Sequence, residues 1–405
     1  MTLDLLSEVA TGRSEDLFRE DLERCEAAIR ERIGGRRLLV IGGAGSIGAA
    51  TVGLIVGFHP ESLHVVDQNE NALAELVRDL RSRTGEFSVR DFQTLPIDFG
   101  SPIMLRFLRC QQPYDLVLNF AALKHVRSEK DTCSLLQILD TNILKAFRFL
   151  RWLRETGSGD CYFGVSTDKA ANPVNLMGAS KRAMEHLLFS EEGPLPDAKS
   201  VTSARFANVG FSDGSLLFSF VKRFEKHQPL ACPRNTRRFF ISLHEAAEIC
   251  VLASTCGPHR HIVVPKLSPG CDRALEDIAV AFLRRHGFRP KPYENQSECK
   301  AGLTEDVRNG QYPILLTELD TTGEKQHEEF VSAGEEAVEF GMRSLQVVRY
   351  RPAPSGALPE FLRAVEDLIV NPETYAAKED VVELMKNVVG ELQHSERTRN
   401  LDQRM

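Results

Sequence analysis

A short apolar run that leads directly into a glycine-rich segment limits the possible folds of this chain more than any other feature. The run over 38–41 precedes a segment in which Gly42, Gly45 and Gly48 follow the pattern G-x-x-G-x-x-G. The first glycine of such a loop permits a tight turn, the middle one lets a ligand approach the backbone, and the last lets the next helix pack on the strand. The N-terminus of that helix faces an anion. The segment therefore predicts a strand, a phosphate-binding loop and a helix.

Further apolar runs along the chain predict a parallel sheet. Amphipathic segments over 72–80 and 135–153 separate the early runs and have helical spacing. Strands that alternate with helices are typical of a doubly wound α/β fold, in which the buried strands are apolar throughout. We therefore expect a Rossmann-type parallel sheet with strands over 38–41, 63–66, 116–118, 162–165, 204–206 and 261–264.

An acidic residue lies where a Rossmann fold holds the adenosine ribose. Asp67 follows the second predicted strand, 25 residues after Gly42. A carboxylate there accepts hydrogen bonds from the ribose hydroxyls and repels a 2′-phosphate, so we expect NAD rather than NADP. Asp98, placed at the end of the third strand, either contacts the adenine or caps a loop. The cofactor contacts predicted up to this point are Gly42, Gly45, Ser46, Ile47, Gly48, Asp67, Asp98, Ala121 and Ala122.

Size and composition exclude several other classes of protein. The 405 residues suggest two or three domains, or one large domain with appendages. Lys and Arg total 50 against 57 for Asp and Glu, a net charge of -7, which argues against a nucleic-acid partner. No apolar run reaches the roughly 18 residues of a membrane span, and the N-terminus lacks the features of a signal peptide. We expect a cytoplasmic protein.

The nine cysteines are scattered along the chain and include no C-x-x-C pair. Such a distribution is typical of reduced thiols in a cytoplasmic protein. Because zinc sites built on cysteine use closely spaced ligands, we expect no metal site.

Two neighbouring segments in the middle of the chain identify a family. Ser166-Thr167-Asp168-Lys169 follows the run over 162–165, and Met177-Gly178-Ala179-Ser180-Lys181 comes shortly after it. A strand followed by Ser/Thr and a spaced x-x-x-Lys is the layout of the extended short-chain dehydrogenase/reductases, which usually carry Tyr-x-x-x-Lys. The chain resembles the bacterial polysaccharide-biosynthesis sugar-nucleotide dehydratases, a group with membrane-anchored UDP-N-acetylglucosamine 4,6-dehydratases, several of which have Met at this position. The matching segments are 40–48, 120–126, 166–182, 205–209 and 236–240.

The resemblance implies 4,6-dehydration of a nucleotide-linked hexose with NAD as cofactor. In this reaction hydride leaves C4, the C4 ketone acidifies the C5 proton, water is lost across C5 and C6, and the hydride returns to C6. The elimination needs an acid and a base side by side. The resemblance assigns these roles to Asp168 and Lys169; it implies that Thr167 bonds the C4 oxygen and that Lys181 holds the nicotinamide ribose. Met177 cannot ionise, so Asp168 or a water held by Lys181 must take the C4 hydroxyl proton.

Further residues are expected at the substrate. Lys124 and His125 follow the fourth predicted strand, at the sheet edge where such folds bind ligands. The resemblance places Lys124 near the sugar, with a solvated loop lysine as the alternative. It also places Asn208 and Arg238 at the nucleotide diphosphate, and a planar guanidinium suits phosphate oxygens. UDP-N-acetylglucosamine is the substrate that the resemblance favours.

We divide the chain into four parts. A helical arm over 1–35 precedes the NAD-binding Rossmann domain over 36–208, and a smaller, mostly helical substrate-binding region over 209–300 returns at least one strand to the sheet. A C-terminal extension covers 301–405. Loops rich in Pro and Arg are expected over 229–238, and the turn over 320–325 is an exposed turn or a flap over the substrate. Helices are expected over 14–33, 244–255, 274–286, 358–368 and 378–393, with a frayed polar tail from Ser395.

Two other functions and an oligomeric state follow from the same residues. A nucleotide-sugar epimerase would share the fold and cofactor but would not need the adjacent Asp168 and Lys169. A non-catalytic NAD-binding protein would explain the missing tyrosine but not the retained lysines. We expect a homo-oligomer, a dimer or larger, with the arm and the helices over 135–153 and 178–190 at its interface, as such helices commonly are in resembling enzymes.

Overall fold

The computed structural model describes residues 5–84, 87–124, 129, 131–206, 208–266, 271–318, 328–371, 373 and 377–394. The strands are β1 (Arg37–Ile41), β2 (Ser62–Val66), β3 (Asp91–Leu95), β4 (Leu116–Asn119), β5 (Cys161–Val165), β6 (Ser200–Ala204), β7 (Asn208–Val209), β8 (Leu230–Pro233), β9 (Arg237–Ile241), β10 (His261–Pro265), β11 (Asp272–Ala274), β12 (Arg289–Tyr293), β13 (Gln311–Thr317), β14 (Ala337–Val338) and β15 (Leu345–Arg349). The helices are α1 (Leu5–Thr11), α2 (Arg19–Arg24), α3 (Glu26–Ile33), α4 (Ser46–Ile55), α5 (Glu70–Ser82), α6 (Pro102–Arg109), α7 (Thr132–Leu139), α8 (Lys145–Glu155), α9 (Leu176–Phe189), α10 (Leu216–Glu225), α11 (Leu243–Cys256), α12 (Leu275–Arg285), α13 (Gln296–Arg308), α14 (Ala357–Val370) and α15 (Lys378–Val388).

Nine strands form one large sheet in the order β14-β15-β10-β6-β5-β4-β1-β2-β3. The strands from β10 to β3 in this order run parallel, whereas β15 is antiparallel to β10 and β14 is antiparallel to β15. Helices flank the sheet, and the strand order reverses between β1 and β4. Loops that leave neighbouring strands in opposite directions open a crevice at the carboxyl edge. The doubly wound α/β fold predicted from the apolar runs is confirmed.

The centre of the sheet is apolar because both of its faces are covered. In β1 the residues over 38–41 are buried, and Val40 lies opposite Val65 on one side and Leu118 on the other. When an apolar strand is buried on both faces, its backbone N–H and C=O groups form their hydrogen bonds with the neighbouring strands. This rigid centre fixes the loops that follow β1, β4 and β5.

Two small sheets, β11-β9-β7 and β12-β13-β8, form the rest of the fold with α10, α12 and α13. A second apolar cluster, separate from the main core, joins them and includes Phe220, Phe282 and Tyr312. The segment predicted as a C-terminal extension contributes β13 to one small sheet and β15 to the large sheet. It is therefore continuous with both parts of the fold.

Three of the predicted element positions are wrong. The strand expected over 204–206 is β6, which ends at Ala204, and Arg205 beyond it is fully buried by ion pairs. Arg237 and Arg238, expected in a loop, lie in β9, where Arg238 pairs with Arg273 of β11. The single helix expected over 14–33 is two short helices, α2 and α3, that meet at Cys25.

The N-terminal arm packs on the body of the same chain. Phe18, Ile29 and Ile33 belong to the main apolar core, whereas Val9 and Ala10 belong to the second cluster. Arg13 lies between these groups and pairs with both carboxylate oxygens of Glu245 at 2.7 Å. The arm therefore joins the two parts of the fold.

A buried ion network fixes the end of the chain against α9. Arg205 and Arg182 bracket Glu185, with the Arg205–Glu185 contact at 2.6 Å, and both arginines also pair with Glu335. Glu391 pairs with Arg182. Buried charges are tolerated only when they are paired and hydrogen-bonded. The network therefore ties residues near the end of the described chain to the Rossmann sheet.

Helix α9 is buried along its whole length, from Leu176 to Phe189, and contacts α14 and α15. The prediction that the helix over 178–190 lies at a subunit interface is wrong, because this chain's own C-terminal helices cover it. Oligomerisation through other surfaces stays a prediction.

Three predicted features cannot be compared with the structure, because they lie outside the described residues: His125, the turn over 320–325 and the tail from Ser395. Among the residues that are described, no helix has the length and apolarity needed to cross a membrane.

Candidate active site

A cleft of about 660 Å³ opens at the carboxyl edge of the large sheet. It is bounded by the glycine loop, by the segments that follow β2, β4 and β5, and by α9. Of the predicted site residues, those that line it are Gly42, Gly45, Ser46, Ile47, Gly48, Asp67, Asp98, Ala121, Ala122, Lys124, Thr167, Lys169, Met177 and Lys181. Asp168, Asn208 and Arg238 lie outside its lining.

The glycine loop leaves no room for side chains at two of its positions. Gly42 has a φ of +69°, and a Cβ there would come within 2.6 Å of the Ala121 backbone nitrogen. A Cβ on Gly48 would come within 2.3 Å of the Gly42 carbonyl oxygen. The loop can therefore turn tightly around the end of β1 and place the N-terminus of α4 at the cleft. Free N–H groups at such an end attract an anion.

Asp67 and Asp98 are both held in place by hydrogen bonds. The carboxylate of Asp67 accepts from the backbone N–H of Ala44 at 3.1 Å, so it braces the glycine loop as well as facing the cleft. Asp98 lies three residues beyond the end of β3 and accepts from Lys145 Nζ at 2.6 Å. Burial opposes ionisation of Asp98, but the hydrogen bond from Lys145 prevails and lowers its pKa.

Lys145 follows a single π-helical turn, Asp140–Leu144, which joins α7 to α8. Both Thr141 of this turn and Lys145 line the cleft. Such turns are rare and occur frequently at functional sites. The helical spacing over 135–153 predicts the helix but not the bulge.

The predicted acid and base form a short hydrogen-bonded chain after β5. Thr167 Oγ1 donates to Asp168 Oδ1 at 2.7 Å, and Lys169 Nζ lies 3.2 Å from the same oxygen. The side chain of Asp168 is only 6% exposed, whereas that of Lys169 is 34% exposed and reaches the cleft. Asp168 itself does not line the cleft, and its hydrogen bonds to Thr167 and Lys169 connect it to the cleft.

Met177 and Lys181 face the cleft from α9, one helical turn apart. The side chain of Met177 is buried, and its backbone N–H donates to Glu129 at 2.8 Å. Lys181 Nζ donates to the carbonyl of Val165 at 2.8 Å. Burial lowers the pKa of Lys181 to about 8, against the opposing effect of Glu185. The position that most related enzymes fill with tyrosine thus holds a group without acid–base chemistry.

Lys124 extends from the loop after β4 and is exposed at the mouth of the cleft. Partial loss of hydration lowers the pKa of its ammonium group, which Asp213 partly offsets. Asp213 in turn donates its backbone N–H to Ser46 Oγ at 2.9 Å, so the substrate region and the glycine loop meet beside Lys124.

Sequence reasoning missed Glu328, a buried carboxyl group that joins Asn208 and Arg238. Asn208 Nδ2 donates to one of its oxygens, and the backbone N–H of Phe239 donates to the other at 2.8 Å. Arg238 Nε lies 3.8 Å from Glu328 Oε1. Burial and then the charge of Asp168 raise the pKa of Glu328 to about 7. Nothing in the sequence around Glu328 marks it as a site residue.

Replacing Glu328 by glutamine is expected to change the pH dependence of stability. Because the pKa of Glu328 is about 7 in the fold and ordinarily 4.5, the folded state binds more protons than the unfolded state between these values. The free energy of unfolding therefore falls as pH rises through this window, by at most about 3 kcal/mol. Glu328→Gln removes this loss. Urea unfolding at about pH 5 and pH 8 should show the variant gaining on the parent at the higher pH.

The matched control is Glu329→Gln, since Glu329 is the adjacent and exposed carboxylate. Its stability should follow the parent at both pH values. Parallel pH profiles for the parent and Glu328→Gln would contradict the raised pKa.

The residues at the cleft fit a nicotinamide dinucleotide. The glycine loop offers a close backbone approach and a helix N-terminus to a pyrophosphate, and Asp67 lies beside them at the end of β2. On the other side of the strand reversal, Thr167, Met177 and Lys181 line the same cleft. These features define the class: a Rossmann-fold protein of the extended short-chain dehydrogenase/reductase type.

Within that class, a family model described as "Polysaccharide biosynthesis protein" matches residues 38–349. The chain belongs to this family. The resemblance inferred from the Ser166 and Met177 segments is thereby confirmed.

Two curated relatives and one solved structure show how the chain compares with known proteins. It is 27% identical over 364 residues to the probable polysaccharide biosynthesis protein EpsC of Bacillus subtilis, covering 89% of this chain but only 55% of that protein. It is 29% identical over 242 residues to a UDP-N-acetylglucosamine 4,6-dehydratase (inverting) of Campylobacter jejuni, covering 58% of this chain and 67% of the dehydratase. A UDP-N-acetylglucosamine 4-epimerase from Methanobrevibacter ruminantium, solved with UDP-N-acetylmuramic acid, superposes with a TM-score of 0.52 and 13% identity, covering 88% and 98% of the two chains. This last likeness is one of fold alone.

Proposed function

We propose that this protein catalyses NAD-dependent 4,6-dehydration of a UDP-linked hexose, with UDP-N-acetylglucosamine as substrate and a 4-keto-6-deoxy sugar nucleotide as product. The observation that carries the proposal is the chain Thr167–Asp168–Lys169 at the cleft, in which one carboxylate oxygen of Asp168 accepts from the Thr167 hydroxyl at 2.7 Å and from the Lys169 ammonium group at 3.2 Å. An elimination uses such a pair, whereas simple redox chemistry at one carbon does not. The dehydratase relative supports the same reaction.

The roles of the residues follow from their positions. The glycine loop, Asp67 and Lys181 would hold NAD, which would supply hydride transfer at C4 and C6. The C4 hydroxyl proton would leave through Asp168 or through a water held by Lys181. When the proton of the Lys169 ammonium group moves to Asp168 along their 3.2 Å contact, the pair becomes a neutral amine and a protonated carboxyl. Lys169, the more exposed member, would then remove the C5 proton, and Asp168 would protonate the C6 hydroxyl as water leaves. Thr167 would turn its hydroxyl from Asp168 to the C4 oxygen, whose ketone form stabilises the negative charge that develops when C5 loses its proton. Lys181 would hold the nicotinamide ribose and supply positive charge.

NAD rather than NADP is favoured by the position of Asp67. Its carboxylate follows β2 and is anchored by the Ala44 N–H, so it cannot swing away from the adenosine ribose without releasing the glycine loop. A 2′-phosphate placed there would meet a fixed negative charge.

The diphosphate of the substrate would lie against β7 and β9. Asn208, the Phe239 N–H and Arg238 already surround the carboxylate of Glu328. Hydrogen-bond donors that hold a carboxylate can also hold a phosphate, and a guanidinium group binds phosphate well. We infer that a phosphate entering this place must displace Glu328 or keep it protonated.

Epimerisation at C4 is the second candidate, and sequence similarity to a UDP-glucose 4-epimerase supports it. Such a reaction returns the hydride to C4 and needs no leaving group. The buried Met177 and the Asp168–Lys169 pair favour elimination instead, because neither serves hydride transfer at C4 alone.

Incubation with UDP-N-acetylglucosamine that carries deuterium at C4 tests the proposal. Mass spectrometry of the nucleotide sugar should show the loss of one water with the deuterium retained. An unchanged mass after prolonged incubation with NAD would contradict it, and an unchanged mass with conversion at C4 would support the epimerase.

A further inference from the structure

A cluster of three metal-ligating side chains lies outside the cleft, where the arm meets α11. Asp16 from the arm faces His244 and Glu248, which are one turn apart on the helix. His244 Nε2 lies 3.7 Å from Asp16 Oδ2 and 3.3 Å from Glu248 Oε1. One ligand atom from each of the three residues lies within 4.8 Å of the other two.

The burial of this cluster sets it apart from a solvated acidic patch. The side chains of Asp16 and Glu248 are 2% and 1% exposed, respectively. Glu248 Oε2 is buried and has no hydrogen-bond partner among the described residues. A buried carboxylate oxygen is ordinarily hydrogen-bonded, paired or bound to a metal. His244, 41% exposed, leaves a path from solvent.

Neighbouring cations are already engaged elsewhere. Arg13 binds both oxygens of Glu245, and Arg19 donates to Glu23 at 2.8 Å. The other oxygen of Asp16 accepts from the Phe18 N–H at 2.9 Å, which orients its carboxylate toward His244. In metal sites, hydrogen bonds of this kind orient the side chains that bind the metal.

We propose that Asp16, His244 and Glu248 bind one divalent transition-metal ion, with Zn²⁺ as the best fit, and that this ion fastens the N-terminal arm to α11. A tetrahedral zinc ion with bonds of about 2.0–2.1 Å separates its ligand atoms by about 3.3 Å, close to the two separations observed. Imidazole nitrogen and carboxylate oxygen are both zinc ligands, and a water can fill the fourth position. The sequence predicted no metal site because it lacks closely spaced cysteines, but this argument does not apply to a site without cysteine ligands.

The site would act on the fold rather than on the reaction. The arm joins the two parts of the molecule through Val9 and Phe18, and α11 packs against α4, the helix after the glycine loop. An ion between the arm and α11 would hold this junction closed. Ligand binding to the folded state alone raises stability, so saturating zinc should raise the melting temperature by roughly 3 °C.

The test uses the full chain, treated with a chelator and then titrated with Zn²⁺ and Co²⁺. One equivalent of Zn²⁺ should bind, and Co²⁺ should give visible d–d bands without a thiolate charge-transfer band. His244→Asn and Glu248→Gln should each weaken Zn²⁺ binding at least roughly 100-fold, by analogy with losses seen around metal ligands. His227→Asn, which removes an exposed imidazole elsewhere, should bind as the parent does.

Three results would overturn the proposal. They are no stoichiometric Zn²⁺ binding by the parent, a thiolate band with Co²⁺, and unchanged affinity in both His244→Asn and Glu248→Gln. The first two readouts use the parent chain, so a variant that fails to fold leaves the proposal testable.

Discussion

Replacing Lys169 by alanine is expected to abolish dehydration while leaving oxidation at C4 possible. Lys169 reaches the cleft while Asp168 stays buried behind it, so Lys169 is the group available to the C5 proton. Loss of a general base costs roughly 10²–10⁴-fold in rate. Reduced nicotinamide should then accumulate on the enzyme, measured by its near-ultraviolet absorbance, while mass spectrometry shows no loss of water.

Lys199→Ala is the matched control. Lys199 is an exposed lysine that pairs with Asp160 where β5 and β6 begin, at the edge of the sheet opposite the cleft. Its removal should leave turnover unchanged. A Lys169→Ala protein that still loses water at the parent rate would show that another group is the base.

Replacing Lys181 by alanine should be far more damaging than any change at Met177. Lys181 is buried, and we propose that it holds the nicotinamide ribose; its loss removes a positive charge and a hydrogen bond to Val165 together. We expect kcat/KM to fall by roughly 10²-fold or more, in line with the loss of other positioned donors. Met177→Ala should lower activity only modestly, since the thioether carries no proton chemistry.

Because Met177 is buried, its truncation leaves a cavity that also lowers stability by roughly 2–5 kcal/mol. Met177→Leu keeps the volume and separates packing from chemistry. Activity measured on folded protein should follow the order parent, Met177→Leu, Met177→Ala, Lys181→Ala. A Met177→Leu protein as inactive as Lys181→Ala would mean that the thioether itself takes part.

Sequence patterns predicted the centre of the fold because the choice of residues there is set mainly by burial and by local backbone geometry. Strands buried on both faces are mostly apolar, and Gly48 is required by the carbonyl oxygen of Gly42 in the same loop. The proximity of Thr167, Asp168 and Lys169 after β5 was also predictable, since the three residues are consecutive in sequence.

Elements that depend on distant partners could not be predicted in this way. Strand β6 reads Ser-Val-Thr-Ser-Ala and looks polar, yet Ser203 Oγ donates to the Gly164 carbonyl at 2.6 Å inside the core. From the sequence alone Arg205 would be placed on the surface, because its buried ion-pair partner Glu335 lies far along the chain. In the same way Glu328 reaches Asn208 and Arg238 only through tertiary contacts.

The position of deuterium in the product tests the dehydratase proposal most directly. With substrate labelled at C4, NMR of the product should show the deuterium at C6 and a solvent proton at C5, because the same hydride leaves C4 and returns after water is lost. Deuterium kept at C4, with the C6 hydroxyl intact, would contradict the dehydration that we propose for this cleft.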